Sequence, residues 1–249
     1  MINNFGSSEL EEITKFYKKA FDIFDAGRET PEIKVSFYPY VNINHTIRIR
    51  NGKILVRIAE ILKSAPLQIQ EALAIILVAK LLGKKTPQKA RSTYRDYINS
   101  EEVQKRALAN KREKGRKVLT KPKGKYYDLE NIFGKLNLIY FNNSIPATTL
   151  SWSTRKTFRR LGHHDSAHNA IVISRSLDNK KVPKFVVEYV VYHEMLHIKH
   201  PTKHRNGRRY NHTPEFKHDE EKFMYFDEAE EWISNNGGFL KRSAKKRWF

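Results

Sequence analysis

Two histidines and a glutamate interrupt an otherwise apolar run, VEYVVYHEMLHIKHP, at residues 187–201. His193 and His197 are four apart, so on a helix they project from one face a turn apart, the spacing at which two imidazoles share a metal ion. Glu194 stands beside them, placed to act as general base toward a metal-bound water rather than as a ligand. Val186 and Val190 continue the histidine face, so that face points inward, and a metal would satisfy nitrogens that burial otherwise penalises. A catalytic zinc usually takes a third protein ligand and keeps one position open. The longer HExxHxxGxxH pattern fails here, because position 200 is His and position 203 is Lys. His200 and His204 lie close to the helix end. His212 is preferred, since Thr213 can cap a new helix and Pro214 suits its first turn; Glu215, His218 and Glu220 are the alternatives.

These side chains need elements to hold them. YYDLENIFGKLNLIYFNNSIP, from residue 126, has helical apolar spacing and stops at Asn142, Asn143 and Pro146. TTLSWSTR and NAIVISRS read as strands, and the basic connection RKTFRRLGHHDSAH between them reads as a hairpin loop. The helix carrying His193 starts near Pro183, and HTPEF introduces one final helix. Tyr192, Tyr210 and Arg155 are candidates as oxyanion stabilisers but read as structural or surface groups.

Residues 1–85 read as an α+β region of their own. ELEEITKFYKKAFDIFDA is an amphipathic helix, KVSFYPYV a strand, HTIRIRNGKILVRIA a hairpin turning at Asn51 and Gly52, and APLQIQEALAIILVAKLLGKK a buried helix ending at Gly83. Residues 86–125 form a basic helical or linker segment; from Lys105 to Lys125 ten basic residues face one acidic residue, Glu113. Residues 126–249 make the third stretch. A shift of 117 residues lays Pro66 on Pro183 and places Ile76, Leu77 and Lys80 where His193, Glu194 and His197 stand. The first region is therefore a candidate degenerate copy of the second.

The whole composition narrows the chemistry. With no cysteine among 249 residues, disulfides, thiolate zinc sites and cysteine nucleophiles are excluded, so a metal must take nitrogen or oxygen ligands. Zinc suits that set, as do other divalent ions. A mean hydropathy of −0.67 and the lack of a long apolar run or signal-like start lead to the expectation of a cytoplasmic protein with no transmembrane segment. A formal charge of +20 favours polyanionic partners, nucleic acid foremost. RKTFRR at 155–160, KHRNGRR at 203–209 and KRSAKKRWF at the C-terminus add to that charge, and Phe158 and Trp248 are aromatic groups able to stack on bases.

YFNNSIP, LSWSTR, VVEYVVYHEMLHIKHP and HTPEFKHDEEKF, in that order over about residues 126–232, resemble the SprT-like zincins, whose pattern is HExxH followed by His, a small residue, Pro, Glu and Phe. The resemblance implies an α+β zincin-like domain with a small mixed sheet, zinc on His193, His197 and His212, and Glu194 as the catalytic glutamate. It implies a metallopeptidase acting on a protein or peptide substrate, including the kind that cleaves nucleic-acid-associated proteins. It also implies a strand at the cleft edge where an extended substrate pairs, for which TTLSWSTR is the candidate although its Trp152 is as readily a core residue. The family's cysteine-rich zinc ribbon is not in this chain. The competing expectation is a basic nucleic-acid-binding protein whose zincin-like domain is structural.

Overall fold

Apolar spacing and turn residues organise the chain around two cores, each with its own three-stranded sheet. The computed structural model describes residues 7–27, 29–115, 118–205 and 208–244. The chain divides into one unit of residues 1–115 with 204–208 and a second of 116–203 with 209–249. Of the basic segment 86–125, the part up to 115 thus groups with the first unit and the rest with the second.

In the first unit, α1 (Ser7–Phe24) buries Ile13, Tyr17, Ala20 and Phe21, the stripe expected from its spacing. Strands β1 (Ile33–Tyr38), β2 (Thr46–Arg50) and β3 (Lys53–Ala59) form a sheet in the order β1-β3-β2, with β1 parallel and β2 antiparallel to β3. Asn51 and Gly52 both take positive φ, 51° and 69°, which is what a tight two-residue hairpin turn requires. Helix α2 (Leu67–Leu81) is apolar around most of its circumference and is the buried centre of this core, with Leu73, Ala74 and Val78 at 1% exposure or less. Helices α3 (Gln88–Ile98) and α4 (Glu101–Lys114) follow, and Val103 closes the same core.

In the second unit, α5 (Leu129–Phe141) is capped by Asp128, whose carboxylate accepts from the backbone of Glu130 and Asn131, and it ends at Asn142 in the left-handed region. Strands β4 (Thr149–Trp152), β5 (Gly162–Asp165) and β6 (Ala170–Ile173) form a sheet in the order β4-β6-β5, with β4 parallel and β5 antiparallel to β6. Helix α6 (Lys184–Lys199) runs through the core; the ribbon β7 (Lys203–Arg205) and β8 (Arg208–Tyr210) comes next in the chain, its residues 204–208 grouping with the first unit, and α7 (Pro214–Glu220), α8 (Phe226–Asn235) and α9 (Gly237–Ala244) complete the second.

Three sequence expectations change here. The 155–168 connection is not a hairpin loop: β4 and β6 are parallel, so they cannot be joined by a tight turn, and the connection itself supplies β5. The expected single final helix is three helices, broken after Glu220 and around Asn236. The strand expected at the cleft edge, β4, lies across β6 from β5. Its Trp152 is 1% exposed and donates through Nε1 to the Pro122 carbonyl at 2.9 Å, which makes it core.

Both sheets have the same order, first-third-second, with the same parallel and antiparallel pairings. Helices α1 and α5 end 117 residues apart at Phe24 and Phe141, β3 and β6 begin 117 apart at Lys53 and Ala170, and α2 and α6 begin 117 apart at Leu67 and Lys184.

Candidate metal centre

Helix α6 carries Val186, Val187, Val190, Val191, Met195 and Leu196 at 5% exposure or less, which fixes its rotation in the core. That rotation turns His193 and His197 together to one side, toward a cleft of about 990 Å³. Thr213 caps α7 by accepting from the Phe216 backbone N–H at 3.3 Å, and Pro214 occupies the first turn, so His212 is held just before a rigid helix start. The three imidazole centroids stand 5.0, 5.0 and 5.1 Å apart. One nitrogen from each of His193, His197 and His212 lies within 4.8 Å of the others. Phe216, fully buried, lies against all three rings at 5.2, 4.9 and 4.7 Å and forms the floor of the cluster.

Each imidazole has a definite setting. His193 presents Nδ1 to Glu220 Oε1 at 2.5 Å, which leaves Nε2 for the cluster. Tyr189, one turn before His193, donates its hydroxyl to Glu220 at 3.0 Å and to Glu230 at 2.6 Å. Burial pushes the Tyr189 phenol strongly up, helped by both carboxylates, so it remains a donor. Burial pulls His193 down, but the Glu220 hydrogen bond and the charges of Glu194, Glu220 and Glu230 outweigh it, and the net shift is upward. Burial holds His197 down at about 4, with His193, His212 and His164 adding to the effect. His212 is lowered by burial and then by His193. Neutral imidazoles are the form that ligates a metal.

Glu194 is buried, and among the described residues its Oε2 has no hydrogen-bond partner. Burial pushes its carboxyl up to about 7, opposed by the charge of His193, a backbone hydrogen bond from His164 and the charge of Arg160. Strand β5 lies against it. A Cβ on Gly162 would stand 2.7 Å from Glu194 Oε1 and 2.8 Å from its Cγ, so glycine permits the strand to approach the carboxylate this closely.

The other candidates are engaged elsewhere. His200 Nε2 meets Asp219 Oδ2 at 2.8 Å, and Glu215 is exposed and pairs with Lys203 at 3.7 Å. His218 is exposed, and Glu220 supports His193. Tyr192 is buried and donates to the Asp219 carbonyl at 2.5 Å, which makes it structural. Tyr210 and Arg155 are exposed and do not line the cleft. The side chain of His204 and the whole of Trp248 lie outside the described residues. Sequence reasoning missed Gly162, the Tyr189–Glu220–Glu230 group and the place of Phe216. Tyr189 was findable, four residues before His193 on the same face; nothing in the sequence marks Glu230.

The residues fit a divalent metal: three converging imidazoles, one of them braced through its second nitrogen, and a buried carboxylate oxygen left unpartnered beside them. Among the described residues no helix is long and apolar enough to cross a membrane. No curated protein and no solved structure matches the chain. Residues 129–231 match the model of the SprT-like family, and through that stretch, from α5 into α8, the second unit carries a SprT-like domain.

Proposed function

We propose that the second unit is a zinc metallopeptidase acting on extended segments of protein. The observation that carries this reading is a buried, unpartnered Glu194 Oε2 on the helical turn that also presents two of the three clustered imidazoles. His193, His197 and His212 would hold the metal. Bound zinc supplies a Lewis acid that polarises a carbonyl and makes water a better nucleophile at neutral pH. Glu194 accepts the proton of the attacking water at Oε2 and delivers it to the leaving amine nitrogen. Glu220 holds His193 in one tautomer, and Tyr189 fixes Glu220. Strand β5, at the edge of its sheet, lines the cleft and is the strand along which an extended chain would lie.

This reading makes the second unit a zincin-like domain and the first unit its degenerate copy. The shared strand order and the constant 117-residue offset support that descent. In the copy, Ile76, Leu77 and Lys80 stand at the positions of His193, Glu194 and His197, and His45 stands at the position of Gly162. His45 Nε2 lies 2.5 Å from the Tyr94 hydroxyl, so a side chain from α3 meets that strand where the other unit has its cleft.

The test uses a loosely folded protein such as casein and follows release of new amino termini. Glu194→Gln should lower turnover by at least about 10²-fold while zinc content is unchanged. Equal turnover in wild type and variant, or no cleavage by the zinc-loaded wild type, would refute the peptidase reading.

A further inference from the structure

The register of the first sheet decides which side chains share its outer face. Across the strands, Lys34 aligns with Leu55 and Leu55 with Arg48; Ser36 aligns with Arg57 and Arg57 with Thr46; Arg50 aligns with Lys53. The opposite face, with Ile33, Ile54, Val56 and Ile58, is packed into the core beneath α1 and α2. On the outer face Lys34, Arg48, Arg50, Lys53, Arg57 and Tyr38 are all exposed. Glu32 pairs with Lys53 at 2.6 Å and Lys34 at 3.5 Å, while Arg48, Arg50 and Arg57 make no ion pair with any described residue.

Aromatic surface lies within the same cationic field. The Arg57 guanidinium sits 5.0 Å from the centre of the Tyr38 ring, and Tyr38 lies 4.6 Å from Tyr40. Asn110 of α4 donates to the Tyr40 and Val41 carbonyls at 2.9 Å each, which fixes this end of the sheet. The matching face of the second sheet is closed instead. There the 118–122 segment is tied down by Thr120 N–H to Ser151 Oγ at 2.7 Å and by Trp152 Nε1 to the Pro122 carbonyl, and Val172 and Ser174 are buried at the positions of Leu55 and Arg57.

We propose that the open face of β1-β3-β2 is a binding surface for single-stranded nucleic acid. Unpaired guanidinium groups two residues apart on a strand stand about 7 Å apart, a ladder suited to successive phosphates. An exposed tyrosine offers a ring for an unpaired base, which a duplex keeps inside its stack. The face presents no exposed aliphatic side chain to insert into lipid, since Leu55 is half-buried and Ile49 points the other way. The surface lies outside residues 129–231 and rests neither on the metal site nor on the peptidase reading.

The experiment is fluorescence anisotropy of the full chain with a labelled oligo-dT of about 15 nucleotides across a salt series. The triple variant Arg48→Ala/Arg50→Ala/Arg57→Ala should bind at least about tenfold more weakly and reduce the slope of log affinity against log salt by about two. Tyr38→Ala should weaken binding about fivefold or more, and Tyr38→Phe should retain it. A charge-matched control with exposed Lys15, Lys18 and Lys180 changed to Ala should stay within about twofold of wild type. Equal loss in that control, no loss in the triple variant with unchanged thermal unfolding, or equal competition by duplex would overturn the proposal. Binding to phosphatidylserine vesicles with the same sensitivity to the triple variant would assign the face to membranes and overturn it as well. An oligo-U arm distinguishes RNA from DNA, both within the proposal.

Discussion

Gly162 and Glu194 meet so closely that the absent side chain of one sets the place of the other. Gly162→Ala would push the Glu194 carboxylate or β5 aside, because the added Cβ falls 2.7 Å from Oε1. The expected result is retained zinc with turnover lowered by about tenfold to a hundredfold, since small displacements of a catalytic group carry such costs. Unchanged turnover would show that the contact is incidental. Glu220→Ala tests the brace on His193: zinc affinity should fall by about 10- to 100-fold with the fold intact, as read by competition with a chelator. Affinity equal to wild type would mean that His193 needs no fixing. The imidazoles were legible before the fold because i,i+4 spacing on an apolar helix and a capped HTPEF start are local signals. Gly162 was not, and Glu220 was read only as an alternative ligand, because each acts through a contact that exists only once β5 and α7 have packed against α6.

At the scale of elements, long apolar periods were readable and short strands were not. Helices α1, α2, α5 and α6 follow from their spacing and from Pro66, Pro183, Gly83 and Asn142 at their ends. Strand β5, GHHD, has four residues with no β-branched side chain and no alternation, so its pairing with β6 is a tertiary choice. The β1–β2 connection carries a pH response. His45 Nδ1 accepts the Ala59 backbone N–H at 3.2 Å, so its proton is on Nε2, facing the Tyr94 hydroxyl. Burial lowers its pKa from 6.5 to about 4. Between those values the unfolded chain takes a proton that the folded one refuses, so stability is full above pH 6.5 and declines as pH falls toward 4. The loss from this group is about 3 kcal/mol. Denaturant titrations of wild type and His45→Gln at several pH values check it: the variant should lose that part of the slope, and parallel slopes would contradict the assignment.

Over the whole molecule, one arrangement of strands and helices is used twice with different surfaces. The second unit covers its sheet and opens a cleft beside α6; the first fills the corresponding place with His45 and Tyr94 and leaves a basic sheet face exposed. A net charge of +20 raised the expectation of a polyanionic partner without naming a surface for it, because only the strand register gathers Arg48, Arg50 and Arg57 onto one face. The offset of 117 residues was visible from two prolines, and the shared strand order could not be seen until the parallel pairings were known. The most direct test of the account is the metal content of the purified full chain by elemental analysis, beside His193→Ala and His212→Ala. About one zinc per chain, lost in both variants, is expected, because His193, His197 and His212 are the one group found among the described residues that could hold a metal. No zinc, two per chain, or zinc retained without His212 would contradict it.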